Sequence, residues 1–534
     1  MAQTHQEHHH RHHHHRRSSR PYPDAVRERK KGRYEERIER MASQGYPNLA
    51  WLRDFLARDK YEPIKCTVIQ VSEDNRVWSK MYDSHPEFDL LLEDFLGRRQ
   101  RSGQIVFILE DLSRPWIEFL GCELNIEPYF FADYLWDWDH PNVPNLPSVQ
   151  RSMHYVSLFY YEILESQSHT QPLNRKIPTE AILGRRNVGR KVMKFDPSDY
   201  QQDIGTVVLV PHIVSYWWRK FENNYCVAIV LVDPPVPRKV RVDDCDNGGA
   251  VSCDSPWQPY AGGYAEPWPW PDTFDKEPAY VDPECRSMLK AIEFYWRAAF
   301  DSNEPGEPCE RTLIIIEKLV LSYWAVAVKF VGRRFDLTQL IQLVDPKLSL
   351  SKTAKTLAKV TDFQIMITIM YNQVKRNILI LGIMPSDRLL YSALKIVPVH
   401  LLEECHADWV FLLNTLETMS TNSGKVVNVW MQVLRKLDSK QTEHAKKGME
   451  RLNVIVAVLG PIAIASGMYS MTDEYAPGKS RFWAFWVTWI PISLLLVSVL
   501  WYQYWLPPLK DRLRQIRQKL KRLDEEESRN PTLG

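Results

Sequence analysis

Two long apolar runs near the C-terminal end constrain this chain more than any other feature. Leu452 to Met471 is twenty residues whose only strongly polar side chain is Asn453, in its first turn. Phe482 to Leu506 is twenty-five residues without a charge. As an α-helix, each is long enough to cross a hydrocarbon core of about 30 Å. Ten residues, 472 to 481, join them, so two such helices form a hairpin with both ends on one side. Two helices cannot enclose a polar path by themselves; a lumen needs several helices around it. A chain of this kind conducts only as an oligomer.

Charge sets the orientation. Lys446, Lys447 and Arg451 precede the first run, and Lys510, Arg512, Arg514, Arg517, Lys519, Lys521 and Arg522 follow the second, whereas the connection holds only Lys479 and Arg481. The positive-inside rule then puts both termini in the cytosol. Trp483, Trp486, Trp489, Trp501 and Trp505 crowd the ends of the second run, as interfacial aromatics do. The stretch GMYSMTDEY, residues 467 to 475, then faces the outside or an organelle lumen. Along the first run Met449, Leu452, Val456, Gly460, Ala463 and Gly467 recur at spacings of three and four. Such a face permits close helix approach or lines a narrow hole. Met449 and Leu452 would gate a hole by dewetting, although ordinary helix packing accepts the same residues. The bulkier second run is expected to face lipid.

Most of the chain is nevertheless polar. Its 534 residues are 44% hydrophobic and 25% charged, with a mean hydropathy of -0.36, which implies a largely water-soluble protein of more than one domain. A formal net charge of +2 gives no footprint for nucleic acid. Eight cysteines without a CxxC pair, and no apolar signal region at the N-terminus, point to a reducing, cytosolic face. Cys245 and Cys253 flank a Gly-containing loop and can pair, but free thiols are the simpler reading. No Walker A loop, GxSxG elbow or HExxH helix occurs, and the carboxylates are too dispersed to nominate a catalytic pair. The chain is therefore expected not to be an enzyme, with no catalytic residues and no cofactor.

Residues 1–45 read as a disordered His/Arg-rich tail, whose imidazoles could alternatively collect Zn, Ni or Cu. Residues 60–232 alternate strand-like runs (CTVIQV, QIVFILE, HYVSLFYYEI, GTVVLV, YCVAIVLVD) with helical patterns such as PEFDLLLEDFL and WIEFLGCELNI, which predicts a cytosolic α/β domain. Residues 233–284 are dense in Pro, Gly and Trp and read as a long loop. Its Trp257, Trp268 and Trp270 either dock a partner or pack back onto the neighbouring domain. Residues 286–451 predict long stalk helices. There Trp409, Leu413, Leu416, Val427, Trp430, Leu434 and Leu437 form a coiled-coil-like stripe, thinned at Ser420 and Ser423. Transmembrane helices over 452–471 and 482–506, an outer loop over 472–481 and a basic then acidic cytosolic tail over 507–534 complete the organisation. In that tail Leu513, Ile516, Leu520 and Leu523 form one apolar stripe, suited to ringing a pore or lying on anionic lipid. The fold class is thus an α+β membrane protein.

With these residues in view, the sequence resembles the CorA-type magnesium transport family. GMYSMTDEYAPG aligns without a gap to the family signature that ends the first span, with Gly467, Tyr469, Met471, Glu474, Tyr475 and Pro477 identical. Pro461 sits where the family carries a proline in that span, and Met449 and Leu452 sit at its cytoplasmic constriction. A weaker similarity covers LGCELNIEPYFFADYL, residues 120 to 135, where Glu127 takes the place of a family His and Ala132-Asp133 that of an acidic pair. The resemblance implies a homopentamer with a cytosolic domain, a pore lined by the first span, and passive flux of hydrated Mg, with Co, Ni or Zn in some branches.

The family triplet Gly-Met-Asn is Ser470-Met471-Thr472 here. A ring of Thr472 hydroxyls still accepts from the water shell of Mg, but reaches less far than a ring of amides. Ser470 adds a side chain where glycine serves tight backbone turns. Asp473 and Glu474 raise the local cation concentration by their field. Together Ser470, Met471, Thr472, Asp473 and Glu474 are the expected outer mouth, with Thr472 the contact to the hydrated ion. Lys446, beneath the constriction, would repel cations unless its side chain splays outward. Two alternatives stand beside Mg transport. One is a non-conducting, membrane-anchored scaffold or regulator, and the other is Zn or Ni transport fed by the N-terminal His tract. A plasma membrane or an internal eukaryotic membrane is the expected location.

Overall fold

The structure is a computed structural model that describes residues 33–46, 48–71, 77–82, 103–136, 154–166, 183, 186–195, 207–221, 225–237, 239–244, 249–254, 257–263, 287–301, 308–344, 349–383, 399–470 and 478–504. The chain divides into two compact units, residues 1–345 with 360–425, and residues 346–359 with 426–534.

The described strands, in chain order, are β1 (Lys65–Val71), β2 (Val77–Tyr82), β3 (Gly103–Glu110), β4 (Tyr155–Ser166), β5 (Met193–Phe195), β6 (Val207–Lys220), β7 (Tyr225–Val232), β8 (Lys239–Asp244), β9 (Gly249–Asp254) and β10 (Trp257–Pro259). The helices are α1 (Arg33–Ser43), α2 (Leu49–Leu56), α3 (Arg114–Leu124), α4 (Pro128–Leu135), α5 (Met288–Asp301), α6 (Pro308–Val344), α7 (Leu350–Leu381), α8 (Val399–Tyr469) and α9 (Trp483–Tyr504).

One sheet of the first unit runs in the order β10-β4-β6-β7-β3-β1-β2, with β5 beside β6. Its pairs are antiparallel except β3 with β7, which run parallel from Gly103 opposite Tyr225 to Glu110 opposite Val232. The α/β alternation expected over 60–232 therefore resolves into an α+β sheet. Four residues separate β6 from β7, far too few for a crossover helix, so that connection has to be antiparallel.

Both faces of the sheet are covered, which is why its central strands read as unbroken apolar runs. Along β3, Ile105, Phe107 and Leu109 join a core built with α1 to α4. Val106 and Ile108 point to the other face and join a core with residues of α5, α6, α7 and α8. β7 alternates in the same way, Val227, Ile229 and Leu231 against Cys226, Ala228, Val230 and Val232.

A helix closes the sheet edge. β10 pairs with β4 only from Leu164 to Ser166, which leaves the outer edge of β4 without a strand over its first residues. There the Asn377 side chain of α7 takes a strand's place. Its Oδ1 accepts from the Phe159 amide at 3.0 Å and its Nδ2 donates to the Phe159 carbonyl at 2.8 Å. The Trp324 indole of α6 donates to the same carbonyl at 2.7 Å. A buried strand edge needs such partners, and side chains supply them here.

Several sequence expectations change. Residues 33–43, inside the stretch read as a disordered tail, form helix α1, because Tyr34 and Ile38, one turn apart, are both buried. Glu118 of α3 caps this helix by accepting from the Tyr34 and Glu35 amides at 3.1 and 3.0 Å. The Tyr34 ring lies on Gly121, where a methyl group would overlap it. The His tract itself lies outside the described residues.

The segment 233–284, read as irregular, contains the β8–β9 hairpin, β10 and a short 3-10 helix over Tyr260–Gly262. The Asn247-Gly248 pair is a hairpin turn signal between two β-prone runs, hidden by the Pro and Gly content around it. Trp257 packs back into a small core with Leu164, Val192, Val208 and Val210. Trp268 and Trp270 lie outside the described residues, as does any pairing of Cys245 with Cys253. Cys66, Cys122, Cys226 and Cys405 are not in disulfide bonds.

Residues 286–451 hold helices α5 to α7 and most of α8. α8 is one helix of 71 residues that continues without a break into the first apolar run. In the first unit Trp409, Leu413, Leu416 and Ser423 of its stripe are buried, and in the second Trp430 is. Trp409 donates its indole N–H to the buried Glu317 carboxylate at 2.7 Å.

Replacing Asn377 by Leu keeps the branched shape of the side chain and strips the Phe159 amide of its partner. The expected cost is about 1–3 kcal/mol in chemical denaturation. An unchanged midpoint and slope would mean that the β4 edge is satisfied in another way.

Candidate functional site

The expected pore residues fall on one helix. Met449, Leu452, Val456, Gly460, Ala463 and Gly467 all lie in α8, within the second unit, and helical geometry puts them on one stripe. Met449 is 65% exposed and Leu452 57%. The apolar surface is not confined to that stripe. Val454, Ile455, Leu459 and Ile464, on other faces of the helix, are also exposed. A Cβ built on Gly460 or Gly467 meets nothing within 4 Å among the described residues. Pro461 sits inside the helix.

Helix α8 ends where the polar stretch begins. The Ser470 amide donates to the Ser466 carbonyl at 2.9 Å, and its hydroxyl donates to the Gly467 carbonyl at 3.0 Å. Ser470 does not carry a positive φ, so serine is not strained at this glycine position of the resemblance. Met471, Thr472, Asp473 and Glu474 lie outside the described residues. Gly478 does take a left-handed φ of 94° ahead of α9.

Helix α9 is 22 residues long, has no charged side chain, and contains Pro491. Trp483, Trp486, Ile490, Leu494 and Leu495 on it are exposed. Two of its hydroxyls turn back to the helix: Thr488 donates to the Ala484 carbonyl at 3.0 Å and Ser498 to the Leu494 carbonyl at 2.7 Å. That is how a hydroxyl is satisfied where water is absent. Among the described residues alone, no helix is long and apolar enough to cross a membrane; several side chains in the middle and end of α9 are not among them. The unbroken sequence of α9 still holds no charge from Trp483 to Tyr504.

At the base of the stripe Lys447 pairs with Glu443 one turn earlier at 2.6 Å, and both are exposed. The hydrogen bond and charge of Lys447 lower the Glu443 carboxyl below its usual range.

A second constellation, absent from the sequence reading, lies buried in the first unit. Asp111 and Asp233 are the residues that follow the C-terminal ends of the parallel neighbours β3 and β7. Asp233 forms a two-pronged ion pair with Arg190, Nε to Oδ2 and Nη2 to Oδ1, both at 2.9 Å. It also accepts from the Tyr134 hydroxyl at 2.9 Å and the Ile213 amide at 3.1 Å. Arg190 spends its other N–H groups on the carbonyls of Tyr134 and Trp136, at 2.8 and 3.1 Å. His212, stacked on Tyr160, has Nε2 at 3.3 Å from Glu162 and Nδ1 at 3.4 Å from Asp233. Burial opposes the charge of Asp233, but the Arg190 guanidinium and then His212 outweigh it and hold the carboxyl far below its usual range.

Asp111 differs. Among the described residues its oxygens accept from backbone amides, those of Asn187 at 2.7 Å, Leu112 at 2.8 Å and Val188 at 3.2 Å. Burial pushes its carboxyl up to about 6 despite the Asn187 and Leu112 amides.

Of the weaker resemblance, Glu127 accepts from the Trp217 indole at 3.0 Å and lies 3.1 Å from His154 Nδ1. Asp133 accepts from the Tyr155 hydroxyl at 2.8 Å, and burial raises its carboxyl. These contacts tie α4 to the sheet. Among the described residues no group of three or more His, Cys, Asp or Glu is arranged to hold a metal ion. A sequence signal for the buried cluster existed only in part, as an Asp closing each of two apolar strands; its Arg190 partner is 43 residues from Asp233.

No family model and no curated protein matches this chain. Among solved structures, the CorA magnesium transporter from Methanocaldococcus jannaschii is similar at a TM-score of 0.34 and 11% sequence identity, over 81% of this chain and 96% of that one.

Truncating Arg190 to Ala leaves Asp233 charged and buried without its partner. Thermal and denaturant unfolding are expected to register a loss of about 3–5 kcal/mol. A loss under about 1 kcal/mol would mean that the pair is hydrated in solution.

Proposed function

We propose that this chain is an integral membrane protein with two spans that assembles into a homo-oligomer, a pentamer by resemblance, and passes divalent cations passively along a pore lined by α8. The observation that carries this reading is the uncovered apolar surface of the second unit. Leu452, Ile464 and Leu495 are 57%, 66% and 66% exposed, and their neighbours on α8 and α9 are exposed with them. Leaving such a side chain in water forgoes about 1.5–3 kcal/mol. Surface of this extent calls for lipid or further copies of the chain.

In this reading α9 faces lipid and the Met449-to-Gly467 stripe of α8 faces the axis. Met449 and Leu452 form apolar rings that close by dewetting. Ser470, Met471 and Thr472 form the outer constriction, where Thr472 hydroxyls accept from the water shell of the ion, and Asp473 and Glu474 concentrate cations at the mouth. Mg is the ion the resemblance favours, with Zn, Co or Ni next. Both termini lie in the cytosol, by the excess of Lys and Arg that flanks the hairpin.

A second reading keeps the membrane hairpin without conduction, as a scaffold or regulator. Lys446 next to the inner constriction and the Ser-Met-Thr triplet favour it.

Ion flux into proteoliposomes, with Mg, Zn and K supplied separately, decides between them. Transport predicts selective divalent entry, altered ion preference in Thr472→Ala, and faster leak in Met449→Asp. No flux of any ion, even from Met449→Asp, would establish the non-conducting reading.

A further inference from the structure

Ahead of its apolar part, α8 carries a basic stripe. Lys436, Lys440, Lys447 and Arg451 follow one another at intervals of four, seven and four residues, and all four are exposed. Helical geometry gathers them within about 60° of one another on a single side of α8. Lys440 stands nine residues before Met449, half a revolution, so the stripe lies on the side of the helix opposite the Met449-to-Gly467 stripe.

Carboxylates on or beside this stripe sit at its far end. Glu443 pairs with Lys447, and Glu450 flanks Arg451. Asp438 falls on the opposite side of the helix by the same geometry. Among the described residues no ion pair holds Lys436 or Lys440. The unmatched positive charge therefore gathers at these two lysines.

The C-terminal tail holds a matching anion. Asp524, Glu525, Glu526 and Glu527 form the longest run of carboxylates in the sequence. Lys436 and Lys440 stand sixteen and twelve residues before Leu452, roughly 24 and 18 Å along the helix. Seventeen residues, 507–523, separate Leu506 from Asp524, and as a helix they would cover roughly 26 Å. In a hairpin with both ends on one side, the two distances start from the same membrane face, so the acidic run comes level with the two lysines.

We propose that Asp524 to Glu527 dock on Lys436 and Lys440 of the same chain, which ties the C-terminal tail to the side of α8 that faces away from the Met449 stripe. The inference rests on the two-span hairpin of the proposed function and not on conduction. Single exposed ion pairs are weak and screened by salt. Here a short tether holds the carboxylates near the lysines at an effective concentration on the order of millimolar, and several charges act together. The tie couples the cytosolic end of α9 to α8.

Carbodiimide coupling of the full chain, in bilayer discs of phosphatidylcholine, tests the docking. The reagent joins a carboxylate and an ammonium group in contact as an amide, with loss of water. Mass spectrometry of the monomer band is expected to find Lys436 or Lys440 joined to a residue of 524–527, with a yield that falls when salt is raised to about 1 M and screening shortens to about 3 Å. Lys436→Glu together with Lys440→Glu should abolish that link. Adding Asp524→Lys, Glu525→Lys, Glu526→Lys and Glu527→Lys should restore it with the charges exchanged. Absence of the link in the unaltered chain would overturn the proposal and leave a solvated stripe. A link found only between two chains would overturn the assignment to the same chain, and a link lost on adding phosphatidylserine would give the lysines to anionic headgroups instead. Lys440→Cys and Glu526→Cys, each treated in sealed vesicles with a thiol label that cannot cross the bilayer and compared with the parent chain, separate the two ways of failing. Labelling of both from one side without a link would sink the docking alone, whereas labelling from opposite sides would sink the hairpin with it.

Discussion

Many apolar side chains along the last turns of α8 and on α9 are exposed among the described residues, and the organisation proposed for this protein rests on that. A helix apolar all round is stable only inside a core, in a bilayer, or among copies of itself. Residues 426–469 of α8 change from a polar surface rich in Lys and Glu to such a helix without any break in the backbone. The change occurs at Arg451 and Leu452, where the lysines stop and exposed aliphatic residues become frequent.

In the first unit the central strands of the sheet are buried on both faces. Satisfying the polar groups that such burial creates falls to individual side chains. Asn377 stands in for a missing strand beside Phe159, Glu118 caps α1, and Arg190 neutralises Asp233. Each joins elements far apart in sequence, so each adds to the specificity of the fold as well as its stability. Asp111, by contrast, accepts from the backbone amides of Asn187, Leu112 and Val188.

Much of this architecture was legible in the residues. The runs QIVFILE and YCVAIVLV are strands because β-branched residues fill both faces of a covered sheet, and their unbroken apolar character was the signal. The Trp409 stripe was legible from its period, and its burial at Trp409, Leu413 and Leu416 follows it. What escaped were features set by a single pair of residues. The Tyr34 and Ile38 pair lies in α1 inside a polar stretch, and the β8–β9 hairpin lies inside a Pro/Gly-rich one. Composition averaged over forty or fifty residues hides both. The Arg190, Asp233 and His212 constellation was illegible for another reason, because strand order brings these residues together and no spacing announces it. Of the mouth, the sequence carries Met471 to Glu474 alone, while Ser470 is seen to close its helix without strain.

The central claim, that α8 lines an axis shared by several copies while α9 faces lipid, is tested most directly by cysteine cross-linking in membranes. Single cysteines at Val456, Gly460 and Ala463, each compared with the parent chain, should give a disulfide-linked dimer on oxidation. Cysteines at Val487 and Leu494 should give none above the parent background. Dimers from α9 and not from α8 would reverse the assignment of the two helices, and monomers from every position would contradict an oligomeric pore.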